Sequence, residues 1–147
     1  MPRDPRSAPS PAGVLGVGTD LVEVGRLRVA IERQAGLRER LFTTAEWDYA
    51  ARHRDPMPHL AARFAAKESV MKALRHGMEH MAFHEIEVVR DEGTGAPELR
   101  LHGRAAEVAT RAGVGGWRLS LTHTGELAQA VAIALSDGAA SSEGAGP

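Results

Sequence analysis

Residues 59–75 read HLAARFAAKESVMKALR, a run free of glycine and proline that begins just after the breaker Pro56-Met57-Pro58. Its composition predicts a helix over about 59–75. On a wheel of about 100° per residue with Phe64 at zero, Leu60, Phe64, Val70, Met71 and Leu74 share an arc from roughly 240° to 360°. That arc is the face expected to pack on the rest of the fold. Two cations interrupt it, because Arg63 and Lys67 fall at about 260° and 300°. Either their aliphatic stems follow the core edge with their heads in water, or the two charges together form an anion site. Glu68 lies near 40° and Lys72 near 80°, roughly one turn apart, an i,i+4 pair whose ordinary role is a surface ion pair worth about 0.3–0.5 kcal/mol. Of the 18 Lys+Arg in the chain only Lys67 and Lys72 are lysines, and both stand on this helix. A compact ammonium approaches a phosphate as a point charge where a planar guanidinium does not fit, which gives the placement a chemical reason.

Toward the N-terminus, residues 14–19 predict a strand that ends at Asp20, and Val24, Leu27, Ala30 and Ile31 recur at helical spacing from about Glu23. Thr43-Thr44-Ala45-Glu46 offers a capping box for a short helix reaching about His53. Toward the C-terminus, FHEIEVVR (83–90) alternates like a half-buried strand, and the turn Glu92-Gly93-Thr94-Gly95 returns it to Glu98-Leu99-Arg100-Leu101 as a hairpin. A further helix is expected over 103–112. Strands 117–122 and 130–135 are joined through His123-Thr124-Gly125. The fold class is α+β, a single small domain with an antiparallel sheet packed on helices.

The domain is expected to occupy 14–135. Residues 1–13 hold four of the eight prolines and residues 136–147 are almost entirely Ala, Gly, Ser and Pro, so both read as disordered tails. With 147 residues, one domain is expected and can bury a core without staples. The lack of cysteine excludes disulfides, thiolate metal sites and cysteine nucleophiles. A formal charge of −1 argues against a nucleic-acid binder that works by bulk phosphate neutralisation. No apolar run approaches a membrane span and no secretory h-region is apparent, so a cytoplasmic protein is expected.

Asp20 follows Gly16-Val17-Gly18-Thr19 at a strand end beside a helix start. It reads either as a helix N-cap or, with Glu68, as one of two hard oxygen ligands for Mg²⁺, an ion that completes its octahedron with water and substrate phosphates. The two glycines let a backbone pass closely, although G-x-G alone is a weak signal. His123 ends a strand between hydroxyls and a glycine, in Ser120-Leu121-Thr122-His123-Thr124-Gly125. Alone it reads as a packing or capping residue.

Together these segments resemble the holo-acyl-carrier-protein synthase type of 4′-phosphopantetheinyl transferase. The family's opening strand is matched by Gly16-Val17-Gly18-Thr19-Asp20-Leu21 with Val24 and Arg26. Its hallmark helix is matched by Arg63-Phe64-Ala65-Ala66-Lys67-Glu68 with Lys72-Ala73, and its closing strand by Ser120 to Thr124. One departure stands out: the family commonly carries Gly-Thr-Gly after the hallmark helix, where this chain has Arg75-His76-Gly77.

The resemblance implies transfer of phosphopantetheine from coenzyme A to a serine of an apo acyl carrier protein of fatty acid or polyketide synthesis, with release of adenosine 3′,5′-bisphosphate. It implies Mg²⁺ on Asp20 and Glu68, with Lys67 and Lys72 offsetting phosphoryl charge and counted with them as catalytic. Coenzyme A is expected to touch Lys67, Lys72, Arg63, His123 and Thr124, and the carrier to dock on Arg26. The base that deprotonates the serine stays open among water on the metal, Glu68 and His123. The resemblance further implies a homotrimer with the coenzyme at subunit junctions, in keeping with a core that draws on only six aromatic residues. Two rivals come from other classes. A Mg²⁺ nuclease is disfavoured because the usual Asp/Glu-x-Lys spacing is missing, and for a coenzyme or carrier binding module the intact Asp20, Glu68, Lys67 and Lys72 argue against and the altered 75–77 loop argues in favour.

Overall fold

The computed structural model describes residues 13–137. Its centre is α4 (Met57–Leu74), which follows α1 (Val24–Arg33), α2 (Leu37–Leu41) and α3 (Thr44–Ala51). Fourteen of its 18 residues are buried, so it is enclosed on nearly all sides rather than along one stripe. Small residues make this possible. Ala61, Ala62, Ala65, Ala66 and Ser69 let neighbouring backbones approach, while Leu60, Val70, Met71 and Leu74 fill the space between them.

One side of α4 is covered by an antiparallel sheet of order β1-β5-β4, built from β1 (Val14–Glu23), β4 (Val114–His123) and β5 (Leu127–Ser136). In β5 the alternate residues Ala128, Ala130, Ala132 and Ala134 face inward, as a half-buried strand requires. The tightest contact is made by β1. A Cβ placed on Gly16 or Gly18 would overlap the carbonyl of Ala73 or Ser69, so the close approach that these glycines permit is to α4 itself. The hairpin of β2 (Ile86–Arg90) and β3 (Pro97–Leu101) pairs Ile86 with Leu101 through Arg90 with Pro97, and α5 (Gly103–Arg111) leads from it into β4.

The α+β class, the antiparallel pairing and the capping box all appear as expected. Thr43 Oγ1 accepts from the Glu46 amide at 3.2 Å while Glu46 Oε1 accepts from the Thr43 amide at 3.0 Å. Several boundaries differ. β1 continues past Asp20 to Glu23, β4 and β5 are longer than expected, and Phe83–Glu85 forms a 3₁₀ turn before β2. Helix α2, of five residues, gives no periodic signal of its own. Gly13 and Ser136, assigned to the tails, bond to one another, with the Ser136 amide donating to Gly13 O at 2.8 Å. Asp137, also assigned to a tail, donates its amide to Gly113 O at 3.2 Å, and the remaining tail assignments, 1–12 and 138–147, lie outside the described residues.

Candidate active site

Asp20 sits on β1, on the face turned toward α4, with about a fifth of its side chain exposed. It is not a helix cap: α1 begins four residues later with Glu23 at its N-cap and no side-chain capping bond. The carboxylate instead meets Lys72, whose Nζ donates to Asp20 Oδ1 at 3.2 Å and to Thr19 O at 2.9 Å. Lys72 therefore bridges helix to strand, and does not close the i,i+4 pair with Glu68 that its spacing allows. Glu68 lines the same groove of about 640 Å³ as Asp20, with Arg26, Phe64, Met78 and Phe83 along its walls. Burial and then the charge of Asp20 push the Glu68 carboxyl above its ordinary range, with Lys72 opposing. Two carboxylates facing one open groove form a donor set suited to a hard divalent cation, since Mg²⁺ needs only one or two protein carboxylates.

Lys67 lies elsewhere. Its ammonium is fully buried and donates to Glu46 Oε1 at 2.7 Å, Phe83 O at 3.1 Å and Ile86 O. An ammonium has three protons, and all three are used within the core. The expected contact of Lys67 with coenzyme A, and its role in offsetting phosphoryl charge, are therefore corrected: the residue ties α4 to α3 and to the start of the β2 strand. Burial lowers its pKa, with the Glu46 carboxylate opposing. Glu46 went unrecognised in the sequence because its spacing already had an explanation as a capping residue. Its second oxygen accepts from the Val88 amide at 3.0 Å.

Arg63 and His123 come together in a second place. The Arg63 guanidinium lies 4.2 Å from the Tyr49 ring centroid, Nη1 donates to His59 O at 3.3 Å, and buried Nε has no partner. With His59, Arg90 and His123 it lines a niche of about 220 Å³. Thr124 forms the turn between β4 and β5, where its Oγ1 accepts from the amides of Glu126 and Leu127 at 3.1 and 3.0 Å. Only its hydroxyl proton remains for a ligand.

The carboxylate groove and this niche occupy opposite flanks. Asp20 pairs across β5 with Ala130, and Ala130 with Leu121, so one β5 strand separates the two sheet edges by about 10 Å. On α4, Arg63 and Glu68 are five residues apart, roughly 140° around the axis. Arg26 lies on the exposed face of α1 at the carboxylate groove, while its neighbour Arg28 is held by Asp55 at 2.8 Å.

A model of the 4′-phosphopantetheinyl transferase superfamily matches residues 16–133. The chain belongs to that superfamily. The transferase is 48% identical over 123 residues to the holo-[acyl-carrier-protein] synthase of Desulforudis audaxviator, an alignment covering 83% of this chain and 93% of the relative. It is 46% identical over 132 residues to that of Moorella thermoacetica, covering 89% and 100%. Among solved structures, the ACPS–CoA complex of Chronobacterium ammoniagenes superimposes with a TM-score of 0.72 at 28% identity, covering 83% of this chain and 97% of that one. Within the described residues of the transferase, no helix is long and apolar enough to cross a membrane. The residues of the niche that the sequence left unmarked are Tyr49, His59 and Arg90. They come from α3, α4 and β2, and no local pattern joins them.

Proposed function

We propose that this transferase moves the phosphopantetheine arm of coenzyme A onto a serine hydroxyl of an apo acyl carrier protein and releases adenosine 3′,5′-bisphosphate. The observation that carries the reading is the pair Asp20 and Glu68 on one open groove, with Lys72 bonded to Asp20. Asp20 and Glu68 are the residues that would hold Mg²⁺, which supplies charge neutralisation for the pyrophosphate when bound. Lys72, fixed by Thr19 O and Asp20, presents the remaining ammonium capacity to the phosphoryl oxygens, whose charge spreads in a loose transition state. The apolar walls at Phe64, Met78 and Phe83 suit the pantetheine chain. Arg26 at the groove's rim suits the acidic surface of a carrier.

The niche of Arg63 and His123 suits a phosphate of the nucleotide half, because it is lined by cations and has an unpaired guanidinium donor. Its position on the far edge of the sheet supports a shared site, in which a second copy brings its niche to the first copy's carboxylates. A homotrimer closes such a heterologous contact. Cytoplasmic placement and a carrier of fatty acid or polyketide synthesis belong to the same proposal.

Intact-mass spectrometry of an apo carrier incubated with coenzyme A, Mg²⁺ and the transferase tests the reaction directly. The expected result is a gain of the phosphopantetheine mass, abolished by Asp20→Asn and by Glu68→Gln with both variants still folded. An unmodified carrier would leave a binding module. Near wild-type turnover of either variant at limiting Mg²⁺ would overturn the two-carboxylate site.

A further inference from the structure

The niche holds a feature that the transfer reaction does not require. His59, half-buried on α4, has its ring stacked on His53 with centroids 3.6 Å apart and planes 23° apart, and it meets His123 edge-on at 4.9 Å. Tyr49 stands edge-on at 6.1 Å. The charged and titratable groups around His59 are thus His53, His123, Tyr49, Arg63 and Arg90, with Asp55 the one nearby carboxylate. Asp55 is occupied, because it accepts from Arg28 at 2.8 Å and from the Met57 amide at 3.1 Å. The His53 Nδ1 faces Ala50 O at 3.3 Å, which orients that ring as the support of the stack.

We propose that His59 is a specificity-determining residue of this niche, neutral in the free protein and protonated from solvent when a phosphomonoester enters, so that binding favours coenzyme A over the same molecule lacking that phosphate. This rests on the niche being the seat of the nucleotide phosphate. The physical basis is electrostatic. Desolvation, followed by His53, His123 and Arg63, pushes His59 down to about 4, so the free niche holds it uncharged. A phosphomonoester carries close to two negative charges near neutral pH. Placed among these groups it reverses the sign of the local potential and favours the imidazolium. Because the pKa is higher in the complex, a proton is taken up on binding, and affinity rises as pH falls through the value of the complex toward that of the free protein.

Calorimetric titration of the assembled protein with coenzyme A near neutral pH, in two phosphate-free buffers of different ionisation heat, reads the proton count. Uptake of about half a proton or more is expected for coenzyme A, and about none for dephospho-coenzyme A, which lacks the phosphomonoester. His59→Phe, which keeps an aromatic ring in the stack, and His59→Gln, which keeps polarity, should each lose most of the uptake and bind coenzyme A roughly twofold to tenfold more weakly. If the wild type prefers coenzyme A but takes up no proton, or if both variants take up as many protons as the wild type, the role of His59 is overturned while the niche stands. If the wild type binds the two ligands equally well, the phosphate seat itself falls.

Discussion

Lys67 shows how a single buried charge divides structural from catalytic use on one helix. It neighbours Glu68 in sequence, yet its Nζ is enclosed and bonded to Glu46, whereas Glu68 lines the groove. Lys67→Met removes the ammonium but leaves the Glu46 carboxylate buried. Breaking such a pair costs about 3–5 kcal/mol, because the surviving charge has no partner. Urea denaturation should show that loss. Adding Glu46→Gln to Lys67→Met should recover part of it, since the orphaned charge is then gone. In folded Lys67→Met at low temperature, the KM for coenzyme A should stay within about twofold of wild type, because no proton of the ammonium points at the groove. A large rise in that KM with stability intact would return Lys67 to the coenzyme.

At the scale of elements, α4 ends on a left-handed cap that carries a side chain. Arg75 is its C-cap with φ of 57°, and it is the one non-glycine residue with positive φ among those described. The left-handed cap closes the helix, since the Arg75 amide donates to Lys72 O and the His76 amide to Met71 O. A side chain at that φ costs about 1 kcal/mol relative to glycine. Arg75→Gly should therefore raise unfolding free energy by roughly 0.5–1 kcal/mol in urea melts, and a fall would show that the arginine side chain offsets its own strain. Elements were legible in the sequence where the signal was local. The Thr43 and Glu46 capping box, the 92–95 turn and the alternation of β5 each lie within a few residues. What was not legible depends on residues distant in the chain. The wheel put Lys67 on the inner face, but its partner Glu46 is 21 residues away and its carbonyl acceptors lie on the 83–86 segment. The carboxylate pair was readable because strand end and helix each carried a motif, whereas Tyr49, His59 and Arg90 share a niche only after three elements pack.

At the scale of the whole molecule, the proposed homotrimer needs a surface to bury, and the outer face of the β1-β5-β4 sheet offers one. Along β1 the pleat turns Leu15, Val17 and Leu21 away from α4, at 43%, 59% and 61% exposure, and the register continues the apolar row through Ile133 and Val131 of β5. Thr19 and Gln129 interrupt this row, so the apolar part of the face is the patch around Leu15, Val17, Val131 and Ile133, and burying such area is worth about 25 cal/mol per Å². The proposed shared site makes a second copy the expected occupant, because the groove of Asp20 and Glu68 and the niche of Arg63 and His123 lie at opposite edges of the same sheet. Three copies arranged head to tail close the contact without a free face. Light scattering should then report a mass near three chains. Val17→Glu, which puts a charge on the outer face without touching either half-site, should lower that mass and abolish turnover together. Mixing inactive Asp20→Ala with inactive His123→Ala subunits by co-refolding should restore partial activity, since some junctions then join an intact groove to an intact niche. A fully active monomer would refute both the assembly and the shared site, and a trimer without complementation would confine groove and niche to one subunit.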